Sequence, residues 1–135
     1  MSEKEPAMAW RLVSTLDKEV REKVRDYSRR MAAMMASDGL LPSLAFAYSK
    51  ATEKTIRRVI GGEDVEGTDE RAWALLYCWI IRWLAARSFP VSDKEDVLST
   101  FEKLASYDPS LLSWAGKEAI SIVEWIKRFS EGRFE

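Results

Sequence analysis

Chemistry in a folded chain needs side chains that titrate, attack or coordinate, and this sequence is short of them. It has no histidine, the usual general base near neutral pH and the commonest transition-metal ligand. Its single cysteine, Cys78, permits no intramolecular disulfide, thiolate zinc cluster or CxxC redox pair. It also lies between Tyr77 and Trp79 in the most apolar stretch of the chain, the setting of a small buried hydrophobe rather than a nucleophile. The carboxylates Glu63/Asp64 and Asp93/Glu95/Asp96 fall where loops and helix starts are expected, so capping accounts for them, and none has the ordered spacing of a calcium loop. Gly61-Gly62 is no phosphate loop, because Glu63 and Asp64 follow it and would repel an anion. The expectation is no catalytic residue, no metal, no cofactor and no small-molecule substrate. An enzyme here needs a site built from carboxylates alone.

Basic residues at helical spacing are the remaining lead. Arg21, Arg25 and Arg29 recur at i, i+4, i+8; Lys50 and Lys54 precede Arg57 and Arg58; Lys127 and Arg128 lie near the end. Each set shares one face of a helix, an arrangement that suits a phosphate backbone read without sequence specificity. No aromatic residue interleaves with these sets along the chain as a base-stacking platform requires. The formal net charge is only −1, but residues 18–58 hold ten bases and five acids, while residues 59–135 hold nine bases and fourteen acids. A dipolar molecule is expected, with a basic region for phosphate or an acidic partner. The plainer explanation is a set of solvated helix faces, with Glu53–Arg57 attracting and Glu22–Asp26 repelling at i, i+4.

The elements that carry these residues read as helices throughout. With 135 residues, 47% of them apolar and 32% charged, one domain with its own core is the default. From Met8 to Met35 apolar residues recur every three or four positions, giving one long helix or two consecutive ones. Ser37-Asp38-Gly39 ends that run with a glycine cap, and Pro42 opens a second helix reaching Gly61-Gly62. Thr68 is a candidate N-cap for a third, with Asp69 and Glu70 in its first turn. The run Ala72 to Ala86 is apolar all round, so this helix is either central or covered by a partner. Phe89-Pro90 closes it. Ser92-Asp93-Lys94-Glu95 matches a capping box before a short helix through Val97 and Leu104, and Asp108-Pro109 starts the last one. Gly116 marks either close packing or a break within it.

No segment alternates like a half-buried strand. The expected fold is therefore all-α, a compact bundle of five to six helices forming a single domain over 1–135, with residues 1–6 and 131–135 flexible or frayed. Met1 to Pro6 is polar, without the apolar core of a secretion signal, and no apolar run is long enough to span a membrane. A cytoplasmic protein that does not engage membranes is expected. Six tryptophans are a heavy allotment for this length. Core packing explains most of them, but Trp73, Trp79 and Trp83 point in different directions from one helix. Whether a domain this small buries all three is left open by the sequence, and any that stays exposed could anchor a protein partner.

Two stretches resemble a known family. Gly39-Leu40, Ser43-Leu44-Ala45-Phe46 and Ser49-Lys50 are similar to the GL-x-x-[ST]-LAF-x-x-SK segment of the small α-helical subunit of the Cmr effector, the type III-B CRISPR RNA-guided silencing complex. Glu118-Ala119-Ile120 with Glu124-Trp125-Ile126-Lys127-Arg128-Phe129-Ser130 resembles the closing helix of that subunit. Pro42 and Gly116 depart from the pattern without touching the matching positions. The resemblance implies a non-catalytic helical bundle whose copies stack head to tail into an inner filament. Its implied partners are the backbone subunit, the large polymerase-like subunit, further copies of itself and the guide RNA–target RNA duplex, in antiviral defence. Where these motifs meet the basic excess, Arg29, Arg30, Lys50, Lys54, Arg57, Arg58, Lys127 and Arg128 become the candidate RNA- or partner-binding residues. The alternative is a helical protein–protein adaptor that uses exposed tryptophans and binds no nucleic acid.

Overall fold

Seven helices form among the described residues, 4–65 and 67–132, of the computed structural model: α1 Glu5–Ser14, α2 Lys18–Asp38, α3 Leu40–Ala51, α4 Glu53–Ile60, α5 Thr68–Ala86, α6 Val97–Ala105 and α7 Pro109–Glu131. No strand occurs among these residues, in keeping with the expected all-α class. The count exceeds five or six because two stripes that run unbroken in the sequence are each divided in the structure.

The first division lies at Thr15-Leu16-Asp17. Asp17 is extended, and its Oδ1 accepts the Val20 N–H at 3.0 Å, an N-cap that starts α2 afresh. Leu16 stays half-buried against the core, so the apolar rhythm passes through the break and hides it. The second division is at Thr52, whose φ of 69° and ψ of 149° belong to a region that glycine occupies readily and a β-branched residue does not. Its hydroxyl accepts the Thr55 N–H at 3.4 Å and so caps α4.

Other boundaries follow local signals, some of them different from those expected. Gly39, at φ 91°, donates its N–H to the Met35 carbonyl and closes α2. The next helix starts at Leu40, so Pro42 sits inside its first turn, where a missing N–H removes no helical bond. Thr68 is the first residue of α5 rather than its cap; Gly67 precedes it at φ 86°, and the Thr68 hydroxyl donates to Glu19 at 3.1 Å. The end of α5 comes at Ala86, before Phe89-Pro90, because Phe89 N–H bonds to Leu84 O and Ser88 N–H to Ala85 O around a left-handed Ser88. The Ser92–Glu95 capping box does not form. Asp96 caps α6 instead, taking the Ser99 N–H at 2.8 Å. Asp108 caps α7 through the Leu111 N–H at 2.8 Å, with Pro109 next, as the sequence indicates. Gly116 does not interrupt α7; it lies where α7 passes α3, and a Cβ there would meet only Leu40 Cβ, at 3.8 Å.

The core is organised by α5. From Ala72 to Leu84 every position except Leu75 and Arg82 is buried, and α2, α3, α4 and α7 all pack against this helix. It is the central helix, not one awaiting a partner on its second face. Around it α2 lies along α7, α1 covers α7 from the other side, and α3 touches α4 and α6. Among the described residues no helix is long and apolar enough to cross a membrane.

Thr52 permits a direct test. Holding a threonine in this conformation costs about 1–3 kcal/mol, whereas replacing a capping threonine by glycine costs only a few tenths. Thr52→Gly is expected to raise stability by about 1 kcal/mol, roughly 4 °C in melting temperature for a chain of this size. Thr52→Val keeps the strain, loses the cap and is expected to lower stability by about 1 kcal/mol. Thermal unfolding followed by circular dichroism checks both signs.

Candidate nucleic-acid interface

Three pairs of residues, each one turn apart on its own helix, meet where α2, α3 and α5 come together: Tyr27 and Arg30 on α2, Phe46 and Lys50 on α3, Asp69 and Trp73 on α5. Residues three or four apart share a helix face, so each helix presents its pair to the same junction. Tyr27 stacks on Trp73 with centroids 4.4 Å apart and ring planes 12° from parallel, and Phe46 meets Trp73 edge-on at 5.3 Å. The Arg30 guanidinium lies 5.4 Å from the centre of Phe46 and 5.5 Å from that of Trp73. Lys50 Nζ lies 5.4 Å from the same Phe46 ring. One ring therefore holds two cations from different helices.

Polar contacts at the surface join α2 to α5 beside these rings. Tyr27 donates its hydroxyl to Asp69 at 2.6 Å, and Lys23 pairs with the same carboxylate at 3.3 Å. Burial, then the hydrogen bond to Asp69, pushes the Tyr27 phenol up to about 12. The Tyr27 hydrogen bond, followed by Lys23, holds Asp69 below the usual carboxylate range.

The eight candidate residues do not share one face. Arg29 and Arg30 diverge by a hundred degrees around α2, and Arg29 reaches Glu131 of α7 at 3.5 Å. Lys127 pairs with Glu124 at 2.8 Å and is half-buried, while Arg128 beside it is exposed. Lys50 ends α3 whereas Lys54, Arg57 and Arg58 lie on α4, so the bend at Thr52 separates them. Arg57 pairs with Glu53 at 3.3 Å, the i, i+4 attraction read from the sequence. Arg57 also helps, after the Ser99 hydrogen bonds, to hold the Asp96 carboxyl low. Lys54, Arg58 and Arg128 have no carboxylate partner among the described residues.

Two expectations change. Aromatic residues do accompany the bases: Phe46 and Trp73 underlie Arg30 and Lys50, and Trp125 flanks Arg128. Nor are the basic and acidic segments opposite ends of the molecule, because α2 packs along α5 and α7 and the pairs Lys23–Asp69 and Arg29–Glu131 join the two. The tryptophans are corrected as well. Trp73, Trp79 and Trp83 are 3%, 4% and 2% exposed, since α5 is covered on all sides and the Trp83 indole donates to Glu118 at 3.3 Å. Trp10, Trp114 and Trp125 stand out instead, at 49%, 58% and 39%. Sequence reasoning passed over them because they sit on amphipathic helices, where an outward position differs from an inward one only by register.

The chemistry elsewhere is quiet. Cys78 is buried, and burial pushes its thiol up to about 12, far from a thiolate at neutral pH. Among the described residues no group of three or more cysteine, aspartate or glutamate side chains is placed to hold a metal ion.

The Asp69 junction makes stability depend on pH with a definite sign. A carboxyl held below its unfolded pKa of 3.8 stabilises the fold above that value, and the contribution is lost as pH falls through the lower folded pKa. The melting temperature is expected to drop below about pH 4, and Asp69→Asn is expected to flatten that part of the profile. Carboxyl titration followed by NMR should show the Asp69 pKa rising towards its unperturbed value in Tyr27→Phe.

One comparison with known proteins bears on this arrangement. The family model described as CRISPR-associated protein (Cas_Cmr5) matches residues 1–133.

Proposed function

This chain belongs to the Cas_Cmr5 family, the small helical subunits of type III-B CRISPR complexes, and from that premise we propose that it is a structural subunit that positions the guide–target RNA through backbone phosphates. Family membership implies a non-catalytic subunit assembled with other subunits of the complex. The finer reading is that copies stack into an inner filament beside the backbone subunit, reaching towards the large polymerase-like subunit, in a cytoplasmic antiviral effector.

The observation that carries the RNA contact is the way Arg30 and Lys50 are held. Arg29, Arg57 and Lys127 each have a carboxylate beside them, which cancels much of their field towards an incoming anion. The ring of Phe46 attracts Arg30 and Lys50 through its quadrupole and leaves their net charge intact. Ordered but not neutralised, two exposed cations on one ring suit adjacent phosphates of a strand. Lys54 and Arg58 extend the positive surface onto α4, and Arg29, Arg57 and Lys127 are assigned to contacts with protein.

The adaptor reading is favoured by a different observation, the exposure of Trp10, Trp114 and Trp125. The two readings respond differently to salt, since phosphate binding weakens steeply with ionic strength and an apolar interface hardly changes.

The test is the double charge reversal Arg30→Glu/Lys50→Glu in the reconstituted complex. The isolated bundle is expected to keep its helical circular dichroism. Target-RNA affinity is expected to fall, and the slope of log affinity against log salt to shrink by about 1.5–2, the loss of two phosphate contacts. Arg57→Glu, reversing an already neutralised residue, is expected to do much less. Unchanged target-RNA binding by the double variant at every salt concentration would refute the RNA contact.

A further inference from the structure

An aromatic ladder on the outer surface of α1 and α7 is used by none of the contacts above. Trp10 meets Phe129 edge-on at 5.4 Å, and Phe129 lies against Trp125 with centroids 5.6 Å apart and planes 27° from parallel. The ladder ends at Trp125. Beyond it is an open groove of about 550 Å³ lined by Ser121, Glu124, Trp125 and Arg128. Phe129 stacks on the Trp125 indole and takes no part in this lining.

The charges around the groove are mixed, with one cation left without a carboxylate among the described residues. Among the described residues Glu124 is the only carboxylate in the lining, and Lys127 binds it at 2.8 Å. The Ser121 hydroxyl is tied to Glu5 of α1. Arg128 is exposed, with no carboxylate partner among the described residues. The groove thus offers an indole wall at the end of a ring stack together with a guanidinium that no carboxylate of the described residues engages, while the Glu5 carboxylate is taken up by the Ser121 hydroxyl.

We propose that this groove takes an unpaired nucleotide of RNA, its base stacked on Trp125 and its phosphate held by Arg128. A nucleobase continues a stack of aromatic rings, which an aliphatic peptide side chain does not, and its phosphate supplies the negative charge that Arg128 lacks. The inference rests on the RNA-positioning reading and adds a second mode to it. Arg30 and Lys50 hold phosphates whether or not the strand is paired, whereas stacking on Trp125 requires an unpaired base, at a strand end or a displaced position.

Fluorescence anisotropy of the full-length protein and of its reconstituted complex, with a short labelled oligoadenylate and an RNA duplex as separate probes, tests this. Trp125→Ala is expected to weaken oligoadenylate binding by about tenfold or more and to leave duplex binding unchanged. Trp125→Phe, which keeps an aromatic face, is expected to restore most of the loss. Arg128→Gln is expected to reduce the salt dependence of oligoadenylate binding by about one phosphate contact. The pair Arg30→Glu/Lys50→Glu reports on the other site through the duplex probe, so either site can fail without the other. Oligoadenylate binding that is undetectable in the wild type, or equal in wild type and Trp125→Ala, overturns the proposal. So does a Trp125→Ala variant whose only defect is weaker association with neighbouring subunits, since that would make the ladder a protein-docking surface.

Discussion

The constraint on which this structure depends is the all-round burial of α5. A helix with one apolar stripe needs one neighbour, but α5 is apolar from Ala72 to Leu84 on every side except at Leu75 and Arg82, and leaving either half in water would forfeit roughly 1.5–3 kcal/mol for each large side chain. Four helices meet that demand, two of them short. The chain between Gly39 and Gly61 packs on α5 through two helices rather than one. The bend at Thr52 lets α3 and α4 pack on α5 separately. The unfavourable backbone at Thr52 is thus a local cost offset by the burial of Ala47, Ala51 and Ile56 on either side of it.

The same packing decides which basic residues keep their charge. Because α2 is pressed along both α5 and α7, its bases meet the carboxylates of those helices, and Lys23 and Arg29 are paired across the contacts. Arg30 points towards α3, which holds no acidic residue, and there finds Phe46, with Trp73 of α5 beside it. A side chain ordered by a ring has already lost much of its rotamer freedom, so little further entropy is lost when an anion arrives. One ordered by a carboxylate must first give up its partner. An inventory of exposed bases treats these cases as equal, and the structure separates them.

What the sequence makes legible follows from how local each cause is. Gly39, Gly61-Gly62 and Asp108-Pro109 act through their own backbone, so their boundaries can be read directly. Asp17 and Thr52 also cap helices, but the apolar stripe runs on through Leu16 and Val20 in one case, which leaves one helix or two open, and through Ala51, Thr55 and Val59 in the other, where a continuous stripe argues against a break. At Ser92–Glu95 two capping signals compete within five residues, and Asp96 prevails because it places Val97 and Leu104 inward. The eight basic residues could be picked out by charge and spacing. Their sorting could be read only in part: Arg57 with Glu53 and Lys127 with Glu124 are local pairs, but Arg29 with Glu131 and Arg30 with Trp73 join helices distant in sequence. Exposure of the tryptophans is non-local for the same reason.

The missing histidine takes on a positive meaning in this setting. A histidine is the one side chain whose ordinary pKa brings a change of charge between about pH 5 and 8. Of the groups here that depart upward, Tyr27, Tyr77 and Cys78 are pushed to about 12 and Tyr107 is raised by burial, and the carboxyls that depart, Asp69 and Asp96, are held low. Every shift therefore moves a titration further from neutrality. The pattern of paired and unpaired cations is then the same throughout the physiological range, which a site for acid–base chemistry would not want and a fixed electrostatic surface does. Holding Arg30 and Lys50 with an aromatic ring belongs to the same economy of means: the ring does not titrate, so it can neither release nor neutralise the cations as pH changes.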